Sequence, residues 1–170
     1  MKRLTDIILR YLILVVVAIP NLYIFYFIFT PLTVYPSYFF LNLLFNTTLK
    51  QTTIFINNIS IEIIGACVAG SAYYLLLILN LSIPKIKIKK RIKMILFAFA
   101  SLLAINLLRI FILSLLLISG SQWFDITHKI FWYTVSIIFV VGIWFTEVKL
   151  FKIKTIPFYS DIKYINSLRK

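Results

Sequence analysis

The chain reads as an all-α polytopic membrane protein with about four transmembrane helices, an outer interfacial helix and a short β-hairpin. Three observations lead there. Of its 170 residues 62% are apolar and 14% are charged, where soluble domains sit near one half and one quarter. The mean hydropathy is +0.99. The apolar residues also fall into runs of about 20, the length at which a helix crosses the hydrocarbon core. This composition argues against a water-soluble enzyme and against a disordered chain. A single cysteine, Cys67, excludes an internal disulfide and any multi-cysteine metal site. No metal site and no cofactor are expected, and four glycines leave no room for a Gly-rich phosphate loop.

The expected spans run over about 7–30, 63–81, 94–119 and 127–148, within one integral membrane domain covering 1–170. The first is interrupted at Pro20-Asn21. It is too long for a cleaved signal peptide and lacks a small-residue cleavage site. The basic residues give the orientation. Lys2, Arg3 and Arg10 open the first span, Lys85 to Lys93 fill the loop 82–93, and Lys149 to Lys170 follow the fourth span. The positive-inside rule then puts both termini, the loop 82–93 and the tail 149–170 in the cytoplasm. Fifteen of the 18 basic residues fall on that side, all but Lys50, Arg109 and Lys129. The net charge of +13 is mostly topology, and nucleic acid is not expected as a partner. Trp123 and Trp132 would mark the outer interface and Trp144 the inner one.

The segment 31–62 faces outward in this scheme. Ser37 to Lys50 is apolar but too short to span, which predicts an interfacial or re-entrant helix. TTIFI and ISIEI, two runs rich in β-branched residues around Asn57-Asn58, predict a hairpin. Phe39, Phe40, Leu43, Leu44 and Phe45 need an apolar surface, so the segment should cover the outer ends of the later spans. There it could form a groove for a substrate helix.

Ionisable groups in a span cost about 2.5–3.5 kcal/mol on insertion scales, so each calls for a reason. Arg109 lies outright in the third span, three residues after Asn106. His128 opens the fourth, three residues after Asp125. Cys67 lies one turn into the second, with Glu62 before it and Ser71 four residues after. Cys67 and His128 would each sit near an outward-facing helix N-terminus, whose partial positive charge favours a thiolate and a neutral imidazole. A nucleophile, a base and a fixed cation at one level are what acyl transfer requires. Each residue also has a plain structural reading. A lone Cys is usually a small buried residue, His128 an interfacial one, Asp125 the N-cap of the fourth span. Glu62 would complete the hairpin, and Asn106 with Arg109 would form a bonded pair. What the plain reading leaves unexplained is Arg109, with no acidic partner in any span. One geometric difficulty stands: Arg109 lies ten residues before the end of its span, roughly 15 Å below it at the helical rise.

At these residues the chain resembles the exosortase/archaeosortase family of membrane transpeptidases. That family shows a Cys in an A-C-x-x-G-like context opening one span, N-x-x-R in the next, and a His opening the one after. Here the residues are Ala66-Cys67-Val68-Ala69-Gly70, Asn106-Leu107-Leu108-Arg109, and Asp125-Ile126-Thr127-His128. The resemblance covers about residues 55–146. The short N-terminal part looks like the small archaeal, pacearchaeosortase-like members. The resemblance implies Cys67 as nucleophile, Arg109 as the oxyanion- or substrate-orienting cation and His128 as general acid/base. Asn106, Asp125, Ser71 and Glu62 would stand around them. It implies exported substrate proteins ending in a recognition motif, a transmembrane helix and a basic cluster. These would be cut at the outer face through a thioester and transferred to an amine or to a membrane lipid acceptor.

Two other readings compete. An intramembrane serine protease could use Ser71 with His128, but Ala69-Gly70-Ser71-Ala72 lacks the G-x-S-G pattern of the rhomboid type. A small non-catalytic assembly or channel subunit would use its basic loops to hold anionic lipid.

Overall fold

The computed structural model describes residues 2–20 and 22–168. Asn21, Arg169 and Lys170, which enter the expectations above, lie outside them. The chain is largely helical: α1 (Lys2–Ala18), α2 (Tyr23–Asn42), β1 (Thr47–Lys50), β2 (Thr53–Ile56), β3 (Ile59–Glu62), α3 (Gly65–Val68), α4 (Gly70–Leu81), α5 (Ile88–Ile118), α6 (Phe124–Ile130), α7 (Ser136–Leu150) and α8 (Tyr159–Leu168). A π turn over Phe131–Val135 joins α6 to α7. Three helices are long and apolar enough to cross a membrane: Tyr23–Asn42, Ile88–Ile118 and Phe124–Leu150. Side chains such as Phe27, Leu96, Ile137 and Phe145 stand exposed along them, as lipid-facing positions do.

The spans expected over 94–119 and 127–148 correspond to α5 and to α6–α7, each a few residues longer. The N-terminal half departs from expectation. The run 7–30 is not one span but the end of α1 and the start of α2. Pro20 has no N–H to continue a helix, and Leu22 turns the chain with φ 60° before α2 begins. Helix α2 then runs through Pro31 and Pro36 to Asn42. The expected interfacial helix 37–50 is therefore absent. Its first six residues end α2, and its last four form β1. Proline is tolerated in membrane helices because neighbouring helices, Ser/Thr side chains and local adjustments re-satisfy the backbone groups it frees. The stretch expected over 63–81 is also changed. Ala69, at φ 61°, breaks it into the single turn α3 and the 12-residue α4. At the helical rise α4 is only about 18 Å long, short of the roughly 30 Å core.

Contacts between helices give the levels at which residues meet. Arg91 of α5 reaches Asn80 and Leu81 at the end of α4. Phe99 packs against Tyr73, and Asn106 reaches Cys67, so α4 and α5 are antiparallel. Phe25 and Phe29 meet Tyr73 and Phe99 and Phe40 meets Phe111, so α2 runs parallel to α5. Arg109 meets Ser136 and Phe97 meets Phe151, so α7 descends beside it. The stack of Phe29 on Tyr73, centroids 3.6 Å apart, marks the centre of the core.

Two ends result. At the basic end lie the start of α1, the link 82–87, the start of α5 and α8. At the other lies a three-stranded antiparallel sheet, order β1-β2-β3. The expected hairpin is β2–β3, closed by Asn57-Asn58 with Ile56 opposite Ile59. Its companion β1 pairs through a second two-residue turn, Gln51-Thr52, with Gln51 at φ 57°. Buried Ile54 and Ile56 fasten the sheet to the helices.

Candidate active site at the sheet end

The break at Ala69 shapes this end. A continuous helix would bond the Cys67 carbonyl to the N–H four residues on. The left-handed Ala69 removes that bond, and α5 supplies two replacements. Asn106 Nδ2 donates to the Cys67 carbonyl at 2.7 Å, and Arg109 Nη2 donates to it at 3.3 Å. Their i, i+3 spacing puts both on one helix face, where they share an acceptor instead of bonding each other. The Cys67 N–H donates to the Ile64 carbonyl at 2.8 Å. The nucleophile candidate is thus held on both sides through its backbone, leaving its half-buried thiol free of any disulfide. The glycines on either side have a packing reason. A Cβ on Gly70 would lie 2.8 Å from the Tyr26 ring, and one on Gly65 would lie 3.4 Å from it. Tyr26 of α2 closes over the break because Gly70 is bare, while at Gly65 a Cβ would only touch the ring.

The Cys67 level also resolves the geometric difficulty. The helix break puts Cys67 beside Asn106 and Arg109, well below the end of α5, so Arg109 needs no upward reach. Above Cys67 the last turns of α5 continue as the wall of an open cavity of about 220 Å3. Its lining includes Ser60, Glu62, Cys67, Ser114, His128 and Trp132. His128 is fifth in α6. Its ring stacks on Phe124 with centroids 5.5 Å apart and meets the edge of Trp132 at 6.0 Å. The π turn begins three residues later. Such turns re-aim the side chains around them and recur at functional sites.

Of the seven candidate residues, Cys67, His128 and Glu62 border this cavity. Arg109 and Asn106 border a separate void of about 20 Å3 with Ser136. Arg109 Nη1 donates to Ser136 Oγ at 3.2 Å, and Ser136 in turn donates to the Phe131 carbonyl at 2.6 Å. One guanidinium therefore ties the Cys67 turn to the π turn that follows His128. Among the described residues Arg109 Nε is buried without a partner. Asp125 does not act as an N-cap. The chain is already turning at Trp123, whose N–H is taken by Ser121 Oγ, and Asp125 lies exposed in the first turn of α6. Ser71 is exposed at the start of α4, beyond the break and outside the cavity lining. Ser136 and the π turn were not legible as site elements, because a serine in an apolar run carries no spacing signal. Among the described residues no three His, Cys, Asp or Glu side chains gather as they would around a metal ion.

Phe39, Phe40, Leu43 and Leu44 are exposed on the end of α2 and its following turn. Phe40 borders a shallow apolar groove with Ala104, Leu107, Leu108 and Phe111. The part of the segment 37–62 that reaches the Cys67 cavity is β3. No protein-family model matches this chain, and no curated protein or solved structure matches it.

Proposed function

We propose that the chain is a membrane cysteine transpeptidase or peptidase of the exosortase/archaeosortase kind. It cleaves a C-terminal sorting signal of exported proteins and passes the new C-terminus to an amine or lipid acceptor. The observation that carries this reading is that Cys67 and His128, from different helices, border one cavity. The basic end faces the cytoplasm with both termini, and the cavity opens to the outside, in keeping with the positive-inside rule.

In the reaction, His128 accepts the Cys67 proton and the sulfur adds to the scissile carbonyl. The C–N bond then breaks, His128 protonates the leaving amine, and a thioester remains on Cys67. An acceptor amine attacks that thioester, the C–S bond breaks, and the thiol regains its proton. Arg109 serves as a positioning residue, through the Cys67 carbonyl and Ser136.

The test is processing of a sorting-signal substrate in cells. Cys67→Ala should abolish it, Cys67→Ser should nearly do so, and a membrane-impermeant thiol reagent added from outside should block it. Processing that survives Cys67→Ala would sink this reading and move the Ser71-based or non-catalytic alternatives ahead.

A further inference from the structure

The sheet has two edges, and they differ in surroundings. β1 packs against α2. β3 borders the cavity with three consecutive residues, Ser60 to Glu62, and the lining continues through Ile63 and Ile64 just beyond it. A strand that presented a face would contribute every second residue. Consecutive lining means that the edge itself runs along the cavity.

The register says which backbone groups that edge offers. The two-residue loop makes Ile56 and Ile59 a hydrogen-bonded closing pair. Bonded pairs recur at every second residue, at Ile54–Ile61 and then Thr52–Ile63. The Ile63 N–H donating to the Thr52 carbonyl at 3.0 Å fits that parity. The N–H and C=O of Ser60 and Glu62 therefore point away from β2. Among the described residues no backbone group pairs with them. Across the cavity stand Ile110, Leu113, Leu117 and Trp132, apolar walls that strengthen any hydrogen bond formed between them.

We propose that this free edge receives an extended peptide segment as a fourth strand. The segment pairs main chain to main chain with Ser60 and Glu62, and the pairing delivers its next peptide bond to Cys67. This rests on the cysteine reading above and adds how substrate is held. The Ile64 carbonyl, next along the same edge, already accepts from the Cys67 N–H, so the edge leads directly into the turn that carries the thiol. Recognition of this kind reads backbone before side chains, and specificity is left to alternate side chains in pockets.

The single cysteine gives the experiment a clean readout. The purified chain in detergent is treated with acetyl-tetraalanyl chloromethyl ketone or with chloroacetone, which lacks a peptide backbone. In each case sulfur bonds to the methylene carbon, chloride leaves and the thiol proton passes to solvent. Mass spectrometry follows thioether formation at Cys67. The peptide reagent should react at least about tenfold faster, two hydrogen bonds each contributing about three- to tenfold. N-methylating each alanine in turn should slow it about fivefold at alternate positions only, since a strand directs every second N–H to its neighbour. Glu62→Pro, which removes an outward N–H from an edge position where proline is tolerated, should lower the ratio of the two rates. A peptide reagent with no advantage and no alternation would overturn the strand pairing while leaving a reactive thiol in place. An advantage that fades as protein concentration rises would mean that a second copy fills the edge, which also overturns it. Failure of both reagents would remove the cysteine reading itself, and the pairing with it.

Discussion

Both ends of the bundle use arginine to satisfy carbonyls that a helix leaves open, yet the two ends are built to different ends. At the basic end, Arg91 donates to the carbonyls of Asn80, Leu81 and Ile83 at 2.7, 3.1 and 2.8 Å. Arg10 reaches the Leu81 carbonyl at 2.7 Å and pairs with Asp6 and Asp161. The end of α4, where cations are favoured, is thereby fixed to α1, α5 and α8. At the sheet end, Arg109 holds one carbonyl and one hydroxyl, and among the described residues it meets no carboxylate and its Nε is unpartnered. The difference teaches what counter-charge does. Arg10 is neutralised and serves as a joint. Arg109 has no such counter-charge among the described residues, and it ties the Cys67 turn to Ser136 instead.

The comparison can be broken in five places. Arg10→Leu strands the buried Asp161 carboxylate, and losing one partner of such a pair costs about 3–5 kcal/mol. Thermal unfolding in detergent should show a larger fall in Tm than Arg109→Leu does, and equal falls would erase the contrast. Gly70→Ala forces a Cβ against the Tyr26 ring and should cost about 1–3 kcal/mol, as overpacking does. Tyr26→Ala in the same chain should remove most of that specific clash, so a double-mutant cycle checks it. Asn106→Ala takes one of two donors from the Cys67 carbonyl and should cost about 1 kcal/mol of stability. Arg109→Lys should leave Tm nearly unchanged but fail to restore processing, because an ammonium lacks the planar fork that spans Cys67 and Ser136. Normal processing by Arg109→Lys would show that charge alone suffices. The smallest effect is Ala69→Gly. Relief of the left-handed strain exceeds the added entropy of the unfolded chain by about 0.5 kcal/mol, so Tm should rise slightly. A fall would mean that the Ala69 methyl packs more than its backbone conformation costs.

Much of the C-terminal half was legible, because α5 and α7 are long apolar runs without proline and their hydropathy alone marks them. The β2–β3 hairpin was legible from Asn57-Asn58 between β-branched runs. The N-terminal half was not. Pro31 and Pro36 read as helix stops by the rules of water, but α2 passes through both. β1 was hidden inside an apolar segment whose TTLK ending looked like the tail of a helix. The Ala69 break had no signal, since alanine is the best helix former and the Tyr26 packing and the Asn106 and Arg109 donors that accompany the break come from distant helices. The co-location of Cys67 and His128 followed from their depths in neighbouring helices. The attachment of Arg109 to the Cys67 backbone did not, because it depends on that unforeseen break.

The Arg10–Asp161 pair also sets an order of assembly. Its members are 151 residues apart, so at about 5–20 residues per second the ribosome delivers the carboxylate roughly 8–30 s after the guanidinium. Through that interval Arg10 has only Asp6, one turn away on its own helix, and the Leu81 and Ile83 carbonyls once α4 is made. The first helix can dock on α4 early, but its buried ion pair is completed last. A nascent chain arrested before Phe158 should hold α1 by its α4 contacts alone, and emergence of Asp161 should tighten it.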